Sequence, residues 1–129
     1  MSYALSTLVS TPYDETVEAV RAALGEQGFG VLTEIDIKAT LKKKLDVDVP
    51  AQVILGACRP PLAHAALQAE ASIGLLLPCN VVVRETGDGT VVEAVDPQTM
   101  VAMTDNDDQQ PVADEAKERL EKALASLSA

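Results

Sequence analysis

Two hydrophobic periods divide this chain. Apolar residues alternate with polar ones in some stretches and recur every three or four positions in others, marking strands and helices respectively. Ala4 to Ser10 predicts a first strand. Thr11 and Pro12 then offer an N-cap and a first helical position. Asp14, Glu15 and Glu18 load the first turns with negative charge, Val17, Val20 and Leu24 give helical spacing, and Gly28 stops the helix. Gly30 to Ile37 predicts a second strand, with Val31, Ile35 and Ile37 on one face and Leu32, Glu34 and Asp36 on the other. Ile37, Leu41 and Leu45 then mark a short helix, and Asp46 to Pro50 a turn. Val53 to Cys58 is a third strand, and the prolines after it open a helix from Pro61 to Glu70.

Cys79 to Thr86 is a fourth strand, β-branched at Val81, Val82 and Val83. Gly87-Asp88-Gly89 turns it into a fifth, Thr90 to Val95. Pro97 to Met103 reads as a helical turn, Asp105 to Gln110 as a polar loop, and Val112 to Leu127 as a last helix striped by Val112, Ala116, Leu120, Leu124 and Leu127. This order predicts a single α+β domain over residues 1–129, a mostly antiparallel sheet with helices packed on one face. The first and last long helices should share that face. The opposite face stays open, and Val, Ile and Leu are frequent enough to make both faces partly apolar. That points to a homodimer.

Composition sharpens the picture. The chain has 129 residues and is 47% hydrophobic, drawn from Ala, Val and Leu, and Tyr3, Tyr13 and Phe29 are its only aromatic residues. The core is therefore aliphatic, and stacking surfaces for bases or flavins are scarce. A net charge of −10 argues against nucleic acid as a partner, since that needs clustered cations. The one basic cluster, Lys38, Lys42, Lys43 and Lys44, suits the C-terminal end of a short helix dipole. No apolar run approaches the ~20 residues that span a bilayer, and the first residues lack the pattern of a secretory signal, so the expected compartment is the cytoplasm, with no membrane partner. Its two cysteines are then thiols.

Those cysteines carry the candidate chemistry. Cys58 and Cys79 each sit beside a proline at a predicted strand end, and Cys58 adjoins Arg59 just before a helix start, which favours its thiolate. If the strands are antiparallel neighbours, the short crossover returns both cysteines to one end of the sheet, with Cα atoms within about 8 Å. Three readings stay open: a redox pair in which Cys58 attacks and Cys79 resolves, a metal site, and two small core residues. The metal reading adds His64, in the pattern Cys58-x5-His64-x14-Cys79, with a fourth ligand from Asp36, Glu34 or water. Such soft ligands suit zinc or copper. Glu34 and Asp36 form a carboxylate pair that could divide acid and base roles or bind a hard cation, or simply line a solvated face. With Arg59 and Asn80 flanking the thiols, the candidate ligand-binding set is Cys58, Arg59, Cys79, Asn80, Glu34 and Asp36. No P-loop, dinucleotide fingerprint or nucleophile elbow is present.

Several segments resemble one family. Gly28-Phe29, Glu34-Ile35-Asp36, Leu55-Gly56-Ala57-Cys58-Arg59-Pro60 and the run from Gly74 to Val83 are similar to the domain of unknown function 302 family. The resemblance implies an antiparallel sheet with helices on one side, similar to the TATA-box-binding protein fold. It implies no activity, so whether the chain is an enzyme stays open. The combined reading is a small domain that binds a small ligand or thiophilic metal near Cys58 and Cys79. A thiol redox protein and a non-catalytic homodimeric interaction module stand as alternatives.

Overall fold

A computed structural model describes residues 2–128. Five strands, β1 (Ala4–Val9), β2 (Gly30–Asp36), β3 (Gln52–Cys58), β4 (Cys79–Thr86) and β5 (Gly89–Val95), form one sheet in the order β1-β5-β4-β3-β2. Every neighbouring pair is antiparallel. Five α-helices accompany it: α1 (Tyr13–Glu26), α2 (Ile37–Leu45), α3 (Pro60–Ala69), α4 (Gln98–Thr104) and α5 (Gln110–Leu127). The α+β class expected from the pattern is therefore the class observed.

Alternation explains the main core. Val53, Leu55 and Ala57 of β3, Val81 and Val83 of β4, and Val92 and Ala94 of β5 all point to one face. There they meet Val20, Ala23 and Leu24 of α1 and Leu120, Ala123 and Leu124 of α5. The two long helices thus share a face, as their stripes require. With Phe29 the only aromatic ring among these buried residues, packing relies on interdigitated aliphatic groups.

The ends of α1 depart from the simple capping pattern. Pro12 occupies the N-cap position and the helix starts at Tyr13, one residue later than expected. Thr11 is used differently: its carbonyl accepts from the Thr90 hydroxyl at 2.8 Å, tying α1 to β5. The Thr16 hydroxyl donates to the Pro12 carbonyl at 2.9 Å. At the other end Gly28, at φ +83°, lets the Phe29 amide reach back to the Leu24 carbonyl at 2.9 Å. α1 has no basic residue in its last turn, and Arg119 of α5 supplies the cation, donating to the Gln27 carbonyl at 3.3 Å.

Two segments differ from the pattern. A 3₁₀ helix, Ala71–Leu76, follows α3 and buries Ile73 completely. Residues 105–110, expected as a polar loop, hold a 3₁₀ turn (Asp107–Gln109) capped by Asn106, whose side chain accepts from the Asp108 amide at 2.9 Å. Gln109 is fully buried and donates to the Ala66 carbonyl at 3.0 Å. A second small core of Ala66, Ile73, Met100 and Val112 forms around it. Polarity misleads here because the Gln109 carboxamide is seated inside by the bond from its Nε2, while its Oε1 is buried without a partner among the described residues. Among the described residues no helix is long and apolar enough to cross a membrane.

Candidate functional site

The cysteine end of the sheet is built by β3, α3 and β4. Cys79 lies opposite Ala57, and Cys58 opposite Gly30 on the other side of β3. Cys79 therefore shares the helix-covered face with Ala57, while alternation turns Cys58 the other way. The expected approach of the two thiols is not met: the register is out of step by one residue, and both cysteines are free. Burial pushes the Cys79 thiol up to about 11, and negative charge on Cys58 would act in the same direction. A thiol held protonated is a poor nucleophile and a poor ligand.

The metal set does not assemble either. His64 lies exposed on α3. Among the described residues no group of three His, Cys, Asp or Glu side chains could hold a metal ion. Cys58, Arg59 and Cys79 do line a common cavity with Phe29, Leu62 and Met100, but its volume is about 30 Å³. That is room for about one water, and an apolar cavity of this kind stays dry. Arg59 is committed nearby, with its Nη1 3.3 Å from Glu115, which also accepts from Arg119 at 2.9 Å. The ion pairs tie α5 to the β3–α3 junction.

The carboxylate pair is displaced by a bulge. Register shifts between Val31 and Thr33, so Glu34 lies opposite Leu55 and Asp36 opposite Val53. The pleat resets at Leu32. Val31, Glu34 and Asp36 now share the helix-bearing side of an edge strand, while Thr33 and Ile35 turn to the other. The expected faces, Val31 with Ile35 and Leu32 with Glu34 and Asp36, are thus corrected. Glu34 pairs with Arg21 of α1 at 2.6 Å. Asp36 caps α2, accepting from the Ala39 amide at 2.9 Å. Burial raises the pKa of the Tyr13 phenol, and Asp36 adds to the effect. Both carboxylates have structural partners.

The remaining surface of note is the open face of the sheet. Alternation sends Leu8 of β1, Val91 and Val95 of β5, Val82 of β4, and Ile54 and Ile35 of β3 and β2 to the side away from α1 and α5. None of these six is fully buried, and Leu8 and Ile35 stay 54% and 47% exposed. Leu32, at the bulge, is 67% exposed. In a chain of net charge −10, the strand register gives this face two charged residues, Arg84 and Glu93, and they pair with each other. Asn80 of the candidate set also lies here. At the β1 end the face hollows into a groove of about 500 Å³ lined by Tyr3, Asn80, Val82, Glu93 and Val95. Sequence reading anticipated an apolar second face. Of the groove residues it singles out Asn80 alone, although the unbroken runs Val81-Val82-Val83 and Val91-Val92 put a valine on each face and carry the signal for the rest.

Comparison with known proteins follows this geometry. Residues 5–127 match the family described as Domain of unknown function DUF302. The solved structure of an uncharacterized conserved DUF302 protein from Bacillus stearothermophilus is similar, at 28% identity, covering 98% of this chain and 99% of that one with a TM-score of 0.91. Among curated proteins none matches.

Proposed function

The chain belongs to the DUF302 family, and from that premise we propose that it is a non-catalytic homodimeric interaction module whose copies meet open face to open face. The family carries no established activity, so the reading rests on one observation: a five-stranded sheet whose uncovered face carries an aliphatic residue on every strand, among polar ones, and a single internally neutralised charge pair.

Three physical points favour a second copy as the occupant. Depletion of charge over an aliphatic patch is the compositional mark of an interface core. The rest of an acidic chain repels its own kind, and the neutral face is where two copies approach with the least of that cost. Strands of six to eight residues in five rows give roughly 500 Å² of face per copy, so a pair buries about 1,000 Å², the lower end of specific interfaces. Sheet packed on sheet is also a stable layer arrangement. At that size the dimer should exchange with monomer at micromolar concentration.

Sedimentation velocity tests the reading. The expected mass at tens of micromolar (about the range where interfaces of this size associate) is twice the 13.6 kDa of one chain. Ile54→Glu and Val91→Glu, each placing a charge in the face, should return the monomer while far-UV circular dichroism is unchanged. A wild-type monomer throughout that range would overturn it.

A further inference from the structure

The groove at the β1 end of the open face has a chemistry of its own. Its volume, about 500 Å³, lies in the range of small-molecule sites. Its walls are aliphatic, from Ala4, Val82 and Val95. The Tyr3 ring stands at the rim, 73% exposed, and the Asp96 amide donates to the Tyr3 carbonyl at 2.8 Å, which fixes the backbone there. Glu93 is the only ionisable carboxylate in the lining, and Arg84 already neutralises it. Asn80 is exposed and offers a carboxamide, which carries both donors and an acceptor.

We infer that this groove binds a neutral carboxamide with a short aliphatic or aromatic body. The hydrocarbon part lies on Val82 and Val95 beside the Tyr3 ring. The ligand amide exchanges a reciprocal pair of hydrogen bonds with Asn80, a group that offers and accepts in the same geometry. A charged ligand is disfavoured, since the groove has no free opposite charge to replace its lost hydration. The inference rests on the homodimer reading only for the cover. A second copy laid over the open face closes the groove, and a single copy leaves it open to solvent but otherwise intact.

The test is a titration of isotope-labelled protein with benzamide, hexanamide and benzoate, each to about 10 mM, suited to weak ligands of this size. It is run on the wild type and on Ile35→Glu, whose change lies on the open side of β2, two strands from Val82. Benzamide and hexanamide are expected to shift the Asn80, Val82 and Val95 resonances with saturating curves, and benzoate is expected to leave them in place. Asn80→Leu should weaken benzamide about three- to tenfold, the loss of a neutral hydrogen bond. Binding that persists in a protein found to be monomeric would remove the dimer reading alone. Absence of saturable shifts with both amides, or benzoate binding as tightly as benzamide, would overturn the groove.

Discussion

Ile54 and Leu55 are consecutive residues of β3 with opposite fates. Leu55 is completely buried between β4 and the α1–α5 layer, whereas Ile54 sits half-buried on the open side. Both are large aliphatic residues, so composition does not distinguish them. What differs is cover: one face has two helices over it and the other has none of this chain's own long helices. An aliphatic residue without cover lowers solubility and adds little to folding, and its presence in rows across five strands makes sense only if something else covers it. The helix face is where the chain's stability resides, and the open face is where we propose that a second copy docks.

The widest separation between the faces should come from truncating those two neighbours. Leu55→Ala is expected to cost about 2–5 kcal/mol of unfolding free energy, the range for a fully buried leucine. Ile54→Ala should cost about 1 kcal/mol in the monomer and show its main effect on self-association. Urea denaturation at low and high protein concentration measures both. Equal costs at low concentration would erase the distinction.

Gly56 sharpens the comparison from the open side. It is buried, and a Cβ there would strike the Thr33 hydroxyl and the Pro78 ring at 2.7 Å. The sheet is locally closed at this one point, so Gly56→Ala should destabilise by about 1–3 kcal/mol through overpacking. A neutral result would mean that β2 can slide away from β3.

The thiols give a chemical version of the same contrast. Cys79 faces the helices with its pKa raised from 9.0 to about 11, and Cys58 turns to the other side. The folded state holds the Cys79 proton more tightly than the unfolded chain does. Its contribution is therefore complete below pH 9 and fades as pH rises toward 11. Wild type should lose on the order of 2 kcal/mol more than Cys79→Ala across that window. With a thiol reagent near pH 8, Cys58 should label faster than Cys79, whose buried thiol is held protonated. Equal rates would contradict the assigned faces. The smallest effect belongs to the β2 edge. Glu34→Gln removes the exposed pair with Arg21 and should cost less than about 1 kcal/mol.

Much of the fold was legible in the sequence, because its strands and long helices announce themselves by period. The Cys79-to-Thr86 strand, the Gly87-Asp88-Gly89 turn and the stripe from Val112 to Leu127 all follow from residue spacing. The bulge at Leu32 was not legible. No glycine or proline marks it, and one extra residue reverses the faces of everything after it, including Glu34 and Asp36. The cysteine site failed for a related reason. The crossover through α3 did return the chain to the same end of the sheet, but the register within the β3–β4 pair is set by packing of Leu55 and Val53 against Val81 and Val83. Nothing local to Cys58 or Cys79 encodes it. Gln109 shows the third limit, since a buried polar residue is visible only through its partner, the Ala66 carbonyl.

The central claim is that the open face is covered by a second copy. It is tested most directly by mixing isotope-labelled with unlabelled protein and observing nuclear Overhauser effects between copies. The account predicts intermolecular contacts among the methyl groups of Ile54, Val82 and Val91, and none from Leu120 or Leu124, which the helix-side core already holds. Intermolecular contacts arising from the α1 or α5 surfaces, or none where sedimentation shows a dimer, would contradict it.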